Sequence, residues 1–534
     1  MEFLESAGVF QGRTIPLGAT INHPVSPLEF QRILARMALR KACGVDGVPA
    51  EILKHSPESF QENLRHLINM IFASEFKLPK ETLLSKVVLL YKKGDPSLLG
   101  NYRPIALLTS TYQLMNLLLA GRLQDLAERN RVFESSQYGF RWLHRVTDSV
   151  QKQQLLLKFA MAGDGTLIRV DLDYANAFNS AGHACLWAIL EKFGVPDIDL
   201  LKNFYDLASM RLHVGAHETA DIFMDTGTAQ GSALSPLLFI LFINALLRFF
   251  DKSELQHGVD RAPQFNHLAF ADELSLYLNS EANANRLLEK VLQFEHWSGL
   301  RLALSKSFIT GIMHGKGATR RASALARDGR GGAEKPSRVH PCDRILMEDD
   351  GNDCLLVRRL EPKGIEQIRC ARCLQDRSQG KFPQGASNAD DNDKICYTCR
   401  SQWMPLGIIY NGHPLPIISG SSPTRFLGIH GDMRGEYSMQ ISLVFQKSAS
   451  IVNFLREKKL STRHSLSLVS MTLPSYVRFP SGMISWTGNS LLKLDRLWMQ
   501  AYKMACGVSR STRLPASCIS HRPWEAGTSP LPWW

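Results

Sequence analysis

The sequence predicts an α+β fold arranged in more than one domain. Three observations carry that expectation. Long stretches place apolar residues at helical spacing, as in LEFQRILARMALRKA and FQENLRHLINMIFASEF within residues 28–80. Between the helical stretches lie short apolar runs that read as strands, and two of these carry carboxylates at an end: GTLIRVDLD (165–173) and HLAFADELSLYL (267–278). After about residue 314 the text changes to GKGATRRASALARDGRGGAEKPSR, rich in Gly, Ala and Arg and without hydrophobic period, the composition of a basic linker.

Taken in order, KVVLLYKK (86–93) is a strand that stops at the turn GDPS. TYQLMNLLLAGRLQDLAERN (111–130) is a helix, apolar on one side and charged on the other. The strand over 165–173 runs into a helix start, followed by a helix through HACLWAILEKFGV, and RLHVGAHETADIFMDTG alternates as a hairpin does. ALSPLLFILFINALL (233–247) is too short and interrupted to span a membrane and reads as a buried helix. A further helix covers 283–300, and structure resumes after the linker in two cysteine pairs and again from about residue 402. The tail HRPWEAGTSPLPWW has the pattern of neither helix nor strand.

The totals narrow the class. A chain of 534 residues with 44% hydrophobic and 9% aromatic content can build two or three cores. Its net charge of +12 favours a polyanionic partner, nucleic acid before a membrane surface. MEFLESAGVF has an acid in second position and no apolar stretch of signal-peptide length, and ten cysteines are too few for a disulfide scaffold. The expectation is an intracellular protein with no membrane partner. The basic linker is compatible with nuclear entry.

The acids are the chemical signal. Asp173 closes one strand, and Asp272–Glu273 interrupt another where it should be most apolar. Carboxylates presented at one end of a sheet are how a protein holds two divalent cations about 3.5–4 Å apart for an in-line phosphoryl displacement. Mg²⁺ suits such a site, because it takes one or two carboxylates and keeps waters and substrate phosphates as its other ligands.

DYANAFNS (173–180), GTAQGSALSPLLF (227–239), AFADELSLY (269–277), GLRLALSKS (299–307) and RFLGIHG (425–431) follow one another in that order. So do ACGVDGVPAEILK (42–54), NYRPIALLTSTYQLMNLLLAGRL (101–123) and SQYGFRWLHRVTDSV (136–150) upstream. Together these blocks resemble the reverse transcriptases of non-LTR (LINE-type) retrotransposons, over roughly 40–310 and again from about 405 to 460. The resemblance implies a right-hand polymerase: fingers and an N-terminal helical region (1–160), an antiparallel-sheet palm (161–312), a linker with a zinc-binding insertion (313–404), and the end of the palm with a helical thumb (405–534). It implies RNA-directed DNA polymerisation, with an RNA template, a DNA primer and deoxynucleoside triphosphates as partners and Mg²⁺ or Mn²⁺ as cofactor. Oligomeric state is left open.

Carried over residue by residue, the resemblance makes Asp173 and Asp272 metal ligands and Phe178 the bulky side chain under the incoming sugar. It puts Gln230 and Gly231 against the nascent base pair, with Gly231 letting the backbone approach nucleic acid. Lys92, Lys93 and Arg103 would neutralise the triphosphate, and Lys306 would stand near the leaving pyrophosphate as a proton donor. Asp171 is expected to be a flanking strand residue. The chain departs from the family's Tyr-Ala-Asp-Asp, reading Phe270-Ala271-Asp272-Glu273. Glu keeps the charge but lengthens the arm by one methylene, roughly 1.5 Å. Glu273 is therefore either a tolerated outer ligand or the mark of a decayed or repurposed element protein that binds nucleic acid without polymerising. No stretch reads as an endonuclease, which also motivates that alternative.

Cys370 and Cys373, then 22 residues, then Cys396 and Cys399 form two Cys-x₂-Cys pairs. Four thiolates so spaced suit a tetrahedral structural Zn²⁺ site.

Overall fold

The computed structural model describes residues 1–312 and 408–508, apart from short breaks at 77, 163–165, 216, 225, 230, 252–254, 260, 419–421, 434, 459, 482 and 485; between them it describes two strands, Leu356–Leu360 and Glu366–Cys370. Helix boundaries follow local chemistry. Pro27–Arg36 starts on Ser26, whose Oγ accepts from Glu29 N at 3.2 Å, with Pro27 in the first turn. Ser110–Arg129 starts on Thr109 in the same way, and Glu281–Ser298 starts on Ser280 and ends at Gly299 with φ +82°.

Ser235–Asp251 is the central helix. Every residue from Leu237 to Phe250 is buried, as its all-round apolarity predicts. Among the described residues no helix is long and apolar enough to cross a membrane. The two polar residues of this buried stretch, Asn244 and Arg248, are spent on backbone. Asn244 Nδ2 donates to Val132 O and its Oδ1 accepts from Glu134 N, while Arg248 donates to the carbonyls of Val9, Arg13 and Val132. A buried guanidinium is tolerable only with such partners. Here they tie the N-terminal segment to the same core, with Leu4, Val9 and Ile15 buried in it.

Two sheets flank this core. The first has the order β2-β1-β4-β5, with β1 at Leu84–Tyr91, β2 at Tyr102–Leu107, β4 at Ser209–Val214 and β5 at His217–Glu218; β6 (Ile222–Phe223) also pairs with β4. β1 lies antiparallel to β2 and parallel to β4. The expected hairpin over 211–227 is thus present, while β2 falls in a block whose proline hid its strand character.

The second sheet carries the acids. It is antiparallel, in the order β7-β8-β3-β9: His267–Phe270, Glu273–Leu278, Leu167–Asp173 and Phe308–Ile312. Strand alternation divides β3 in two. Ile168, Val170 and Leu172 enter the helical core. Arg169, Asp171 and Asp173 lie on the opposite face. The chain rejoins this sheet after residue 408 through Ile309, which donates to Pro416 O and accepts from Ile418 N, both at 2.8 Å.

β12 (Ile409–Tyr410) pairs with β13 (His413–Pro414), and the hairpin of β14 (Thr424–Phe426) and β15 (Ile429–Gly431) follows. Beyond it, helices Ser438–Glu457, Thr462–Ser481 and Gly488–Ala505 pack around Val444, Val469, Leu473, Leu494 and Trp498 as a core of their own. β10 (Leu356–Leu360) and β11 (Glu366–Cys370) form an antiparallel pair. Cys373, Cys396, Cys399 and the C-terminal tail lie outside the described residues.

Candidate active site

Asp173 is the last residue of β3 and stands directly across from Glu273, the first residue of β8. Asp272 occupies the two-residue turn between β7 and β8, after Ala271 at φ +56°. Three carboxylates therefore lie at one end of the sheet, near enough to act on one another electrostatically. Burial and then the neighbouring Asp173 charge raise the Asp272 carboxyl above its usual range, against the pull of Lys306 and Arg103. Burial and the Asp272 charge raise Glu273, while Arg425 on β14 pulls it down.

Lys306 reaches the site from the turn before β9. Its Nζ stands 2.9 Å from Asp173 Oδ1. That turn is pinned to the same residue's backbone: Asp173 N donates to Ser307 Oγ at 3.1 Å and Ala303 N donates to Asp173 O at 2.8 Å. Asp171 is used differently, as expected of a flanking residue. Arg169 Nε donates to its Oδ2 at 2.8 Å and Ser275 Oγ donates to its Oδ1. Arg169 also lies over Phe308 and Phe426, each ring centroid 5.7 Å away, and donates to Thr424 Oγ1 at 3.1 Å.

Phe178 lies in a short helix, Ala177–Ser180, half-buried and stacked on Phe239 with centroids 4.4 Å apart. Its carbonyl accepts from Thr228 N at 2.6 Å, which draws the 227–231 segment against it. Gly227, at φ +81°, has no room for a Cβ beside Asn179.

Gly231, at φ +135°, is exposed, yet a Cβ there would stand 2.1 Å from Ala106 O. Within the chain, the close approach it permits is to β2. Gln230 lies outside the described residues. Arg103, on β2, faces the acids closely enough to hold Asp272 down; Lys92 and Lys93 sit exposed just beyond β1.

Gln137, Ser307 and Arg425 lie in the motif blocks, but the sequence alone gives them no role. Gln137 accepts from the amide of Ala271 at 2.9 Å. Arg425 acts on Glu273 electrostatically. Neither signal is local, since each partner lies more than a hundred residues away.

A buried acid lies behind the site. Glu295, 3% exposed at the end of Glu281–Ser298, accepts from the Tyr410 hydroxyl. Burial pushes its carboxyl up to about 7 from 4.5. A raised acid favours folding while it is protonated, so this contribution is complete below pH 4.5 and is lost as pH rises through about 7. The expected loss is about 3 kcal/mol across that window. Glu295→Gln should flatten that part of the stability–pH curve, as thermal melts between pH 5 and 8 will show. Parallel curves for both proteins would refute this source.

Among the described residues no cluster of three His, Cys, Asp or Glu side chains is gathered as a ready-made metal cage. Asp173, Asp272 and Glu273 nonetheless fit Mg²⁺ or Mn²⁺. They are hard oxygen donors, and their mutual repulsion is what a dication relieves.

The profile of the family described as "Reverse transcriptase (RNA-dependent DNA polymerase)" matches residues 90–390, more than half of the 534. The chain belongs to the reverse transcriptase family. It is 27% identical over 304 residues to the Retrovirus-related Pol polyprotein from type-2 retrotransposable element R2DM of Drosophila melanogaster, covering 56% of this chain and 28% of that protein. It is 28% identical over 224 residues to the Probable RNA-directed DNA polymerase from transposon BS of the same organism, covering 41% and 25%. To the Transposon TX1 uncharacterized 149 kDa protein of Xenopus laevis it is 27% identical over 297 residues, covering 55% and 22%. The chain thus spans about a quarter of the length of these curated relatives. These likenesses bear out the non-LTR resemblance of the reverse transcriptase blocks.

Proposed function

We propose that this chain is an RNA-directed DNA polymerase that adds deoxynucleotides to a primer 3′-hydroxyl on an RNA template. The observation that carries the reading is the convergence of Asp173 and Asp272 at one sheet end, within a reverse transcriptase match. Divalent cations, when bound at these acids, supply activation of the attacking hydroxyl and charge neutralisation at the transferred phosphorus. The remaining work belongs to the side chains. Arg103, with Lys92 and Lys93 beyond β1, binds the triphosphate. Phe178, braced by Phe239, limits the space under the sugar and so favours deoxynucleotides. Lys306 holds a proton within reach of Asp173 and can give it to the leaving pyrophosphate. Gln230 and Gly231 are read as contacts to the nascent pair.

The same reading divides the chain into fingers (1–160), palm (161–312), insertion (313–404) and thumb (405–534). A structural Zn²⁺ at Cys370, Cys373, Cys396 and Cys399 rests on their spacing. An intracellular, nucleus-compatible location rests on composition.

Primer extension on an RNA template tests the activity. The expected result is measurable extension by the unaltered chain with Mg²⁺ or Mn²⁺, lost in Asp272→Ala. Shortening the arm in Glu273→Asp should raise the rate, by up to about 100-fold if the methylene displaces a metal by an ångström. Activity only in Glu273→Asp would favour the alternative of a decayed element protein on an intact scaffold. Silence from all three would refute the polymerase reading.

A further inference from the structure

The turn that carries Asp272 does not stand unaided. Ala271 holds a left-handed φ of +56°, which a residue with a Cβ adopts only when its surroundings impose it. The imposing group comes from another block. Gln137 is fully buried, and its Oε1 accepts from Ala271 N at 2.9 Å and from Gly139 N at 2.8 Å. The backbone on either side is joined to β7: Ala269 N donates to Ser136 O, and Tyr138 N donates to Ala269 O, both at 2.9 Å. Segment 136–139 thus runs along the outer edge of β7 and ends against the turn. Gly139 lies so close that a Cβ there would stand 2.4 Å from Ala271 N.

Gln137 is also badly placed for a purely structural glutamine. Its Nε2 is buried without a hydrogen-bond partner among the described residues. An unpaired buried donor is costly, so the position is one where the side-chain oxygen matters and the nitrogen does not. An apolar side chain of similar length would fill the space without that cost. It would leave Ala271 N unanswered and the turn free to relax.

We infer that Gln137 is a positioning residue for the metal-binding turn: its oxygen fixes Ala271 in the left-handed conformation and so aims Asp272 at Asp173. This rests on the polymerase reading for its effect on rate, but not for its effect on metal binding. Gln137→Met removes the oxygen at nearly constant volume. Gln137→Glu keeps an acceptor for both amides and replaces the unpartnered nitrogen by an oxygen, at the cost of an ionisable carboxyl in a buried position.

The experiment measures Mn²⁺ affinity by electron paramagnetic resonance, thermal melting, and kcat and nucleotide KM in primer extension. In Gln137→Met, kcat should fall by about 100-fold, as expected for an ångström of misplacement, with KM little changed. Mn²⁺ should bind about tenfold more weakly, the scale on which supporting groups tune a metal site. Gln137→Glu should restore both. Equal Mn²⁺ affinity in the unaltered chain and Gln137→Met would overturn the inference. So would losses in the Met and Glu variants that simply follow a lowered melting temperature. Should Gln137→Met fail to fold, Gln137→Asn, whose amide falls one methylene short of Ala271, replaces it under the same criteria. Silence of the unaltered chain in extension would refute the polymerase reading alone, and Mn²⁺ affinity would still decide the role of Gln137.

Discussion

Asp173→Asn is expected to abolish primer extension, with a loss on the order of a thousandfold or more. Loss of one metal ligand removes several kcal/mol of transition-state charge stabilisation, and each 1.36 kcal/mol is worth a factor of about ten. The substitution is well isolated from the fold. Asn keeps the shape of Asp, and the backbone contacts at this residue, Asp173 N to Ser307 Oγ and Ala303 N to Asp173 O, do not involve the carboxylate. What disappears is the charge that Lys306 Nζ meets at 2.9 Å and that helps to raise Asp272. The Asp272 carboxyl should therefore move back toward its ordinary range, and the melting temperature should hold or rise. Extension retained above a tenth of the unaltered rate would remove Asp173 from the ligand set. Loss of activity together with a fallen melting temperature would point to the fold instead.

How much of this site could be read beforehand depends on how local each signal is. The acids of β3 and β8, and the all-round apolar helix Ser235–Asp251, announce themselves within a few residues, because strand alternation and helical period are local properties. The strand order β7-β8-β3-β9 is not local. It places β8 between a strand that immediately precedes it and one about a hundred residues earlier, so the register opposing Asp173 to Glu273 had to come from the structure. Gln137 illustrates the same limit. Its side chain is identified by an amide 134 positions away. The smallness of Gly231 is visible in the sequence, but the atom that requires it, Ala106 O, belongs to a strand more than a hundred residues earlier. The Arg169–Asp171 pair was half-legible. Alternation put both on one face with Asp173, while the rings and the threonine around the guanidinium come from β9 and β14.

That pair yields the largest expected effect on stability. Arg169 is the one basic residue of β3 and is nearly fully buried, while the Asp171 side chain it meets is 14% exposed. Arg169→Met should destabilise the protein by up to about 3–5 kcal/mol, because it leaves a largely enclosed carboxylate with only Ser275 to answer it. The loss comes from the unpaired charge more than from the missing bond, so neutralising the partner should recover much of it. Arg169→Met/Asp171→Asn, which retains an acceptor for Ser275, is therefore expected to regain more than half of the single variant's loss. Urea denaturation read as a double-mutant cycle, at unchanged m-value, measures this coupling. A double variant no more stable than Arg169→Met would show that packing between Phe308 and Phe426, not charge, is what Arg169 supplies. The consequence reaches the site in either case. Arg169 joins β3 to β14 through Thr424, and β14 carries the Arg425 that bears on Glu273. By satisfying Asp171 within the sheet, Arg169 also leaves Asp173 as the β3 acid at the sheet end, with Glu273 across from it.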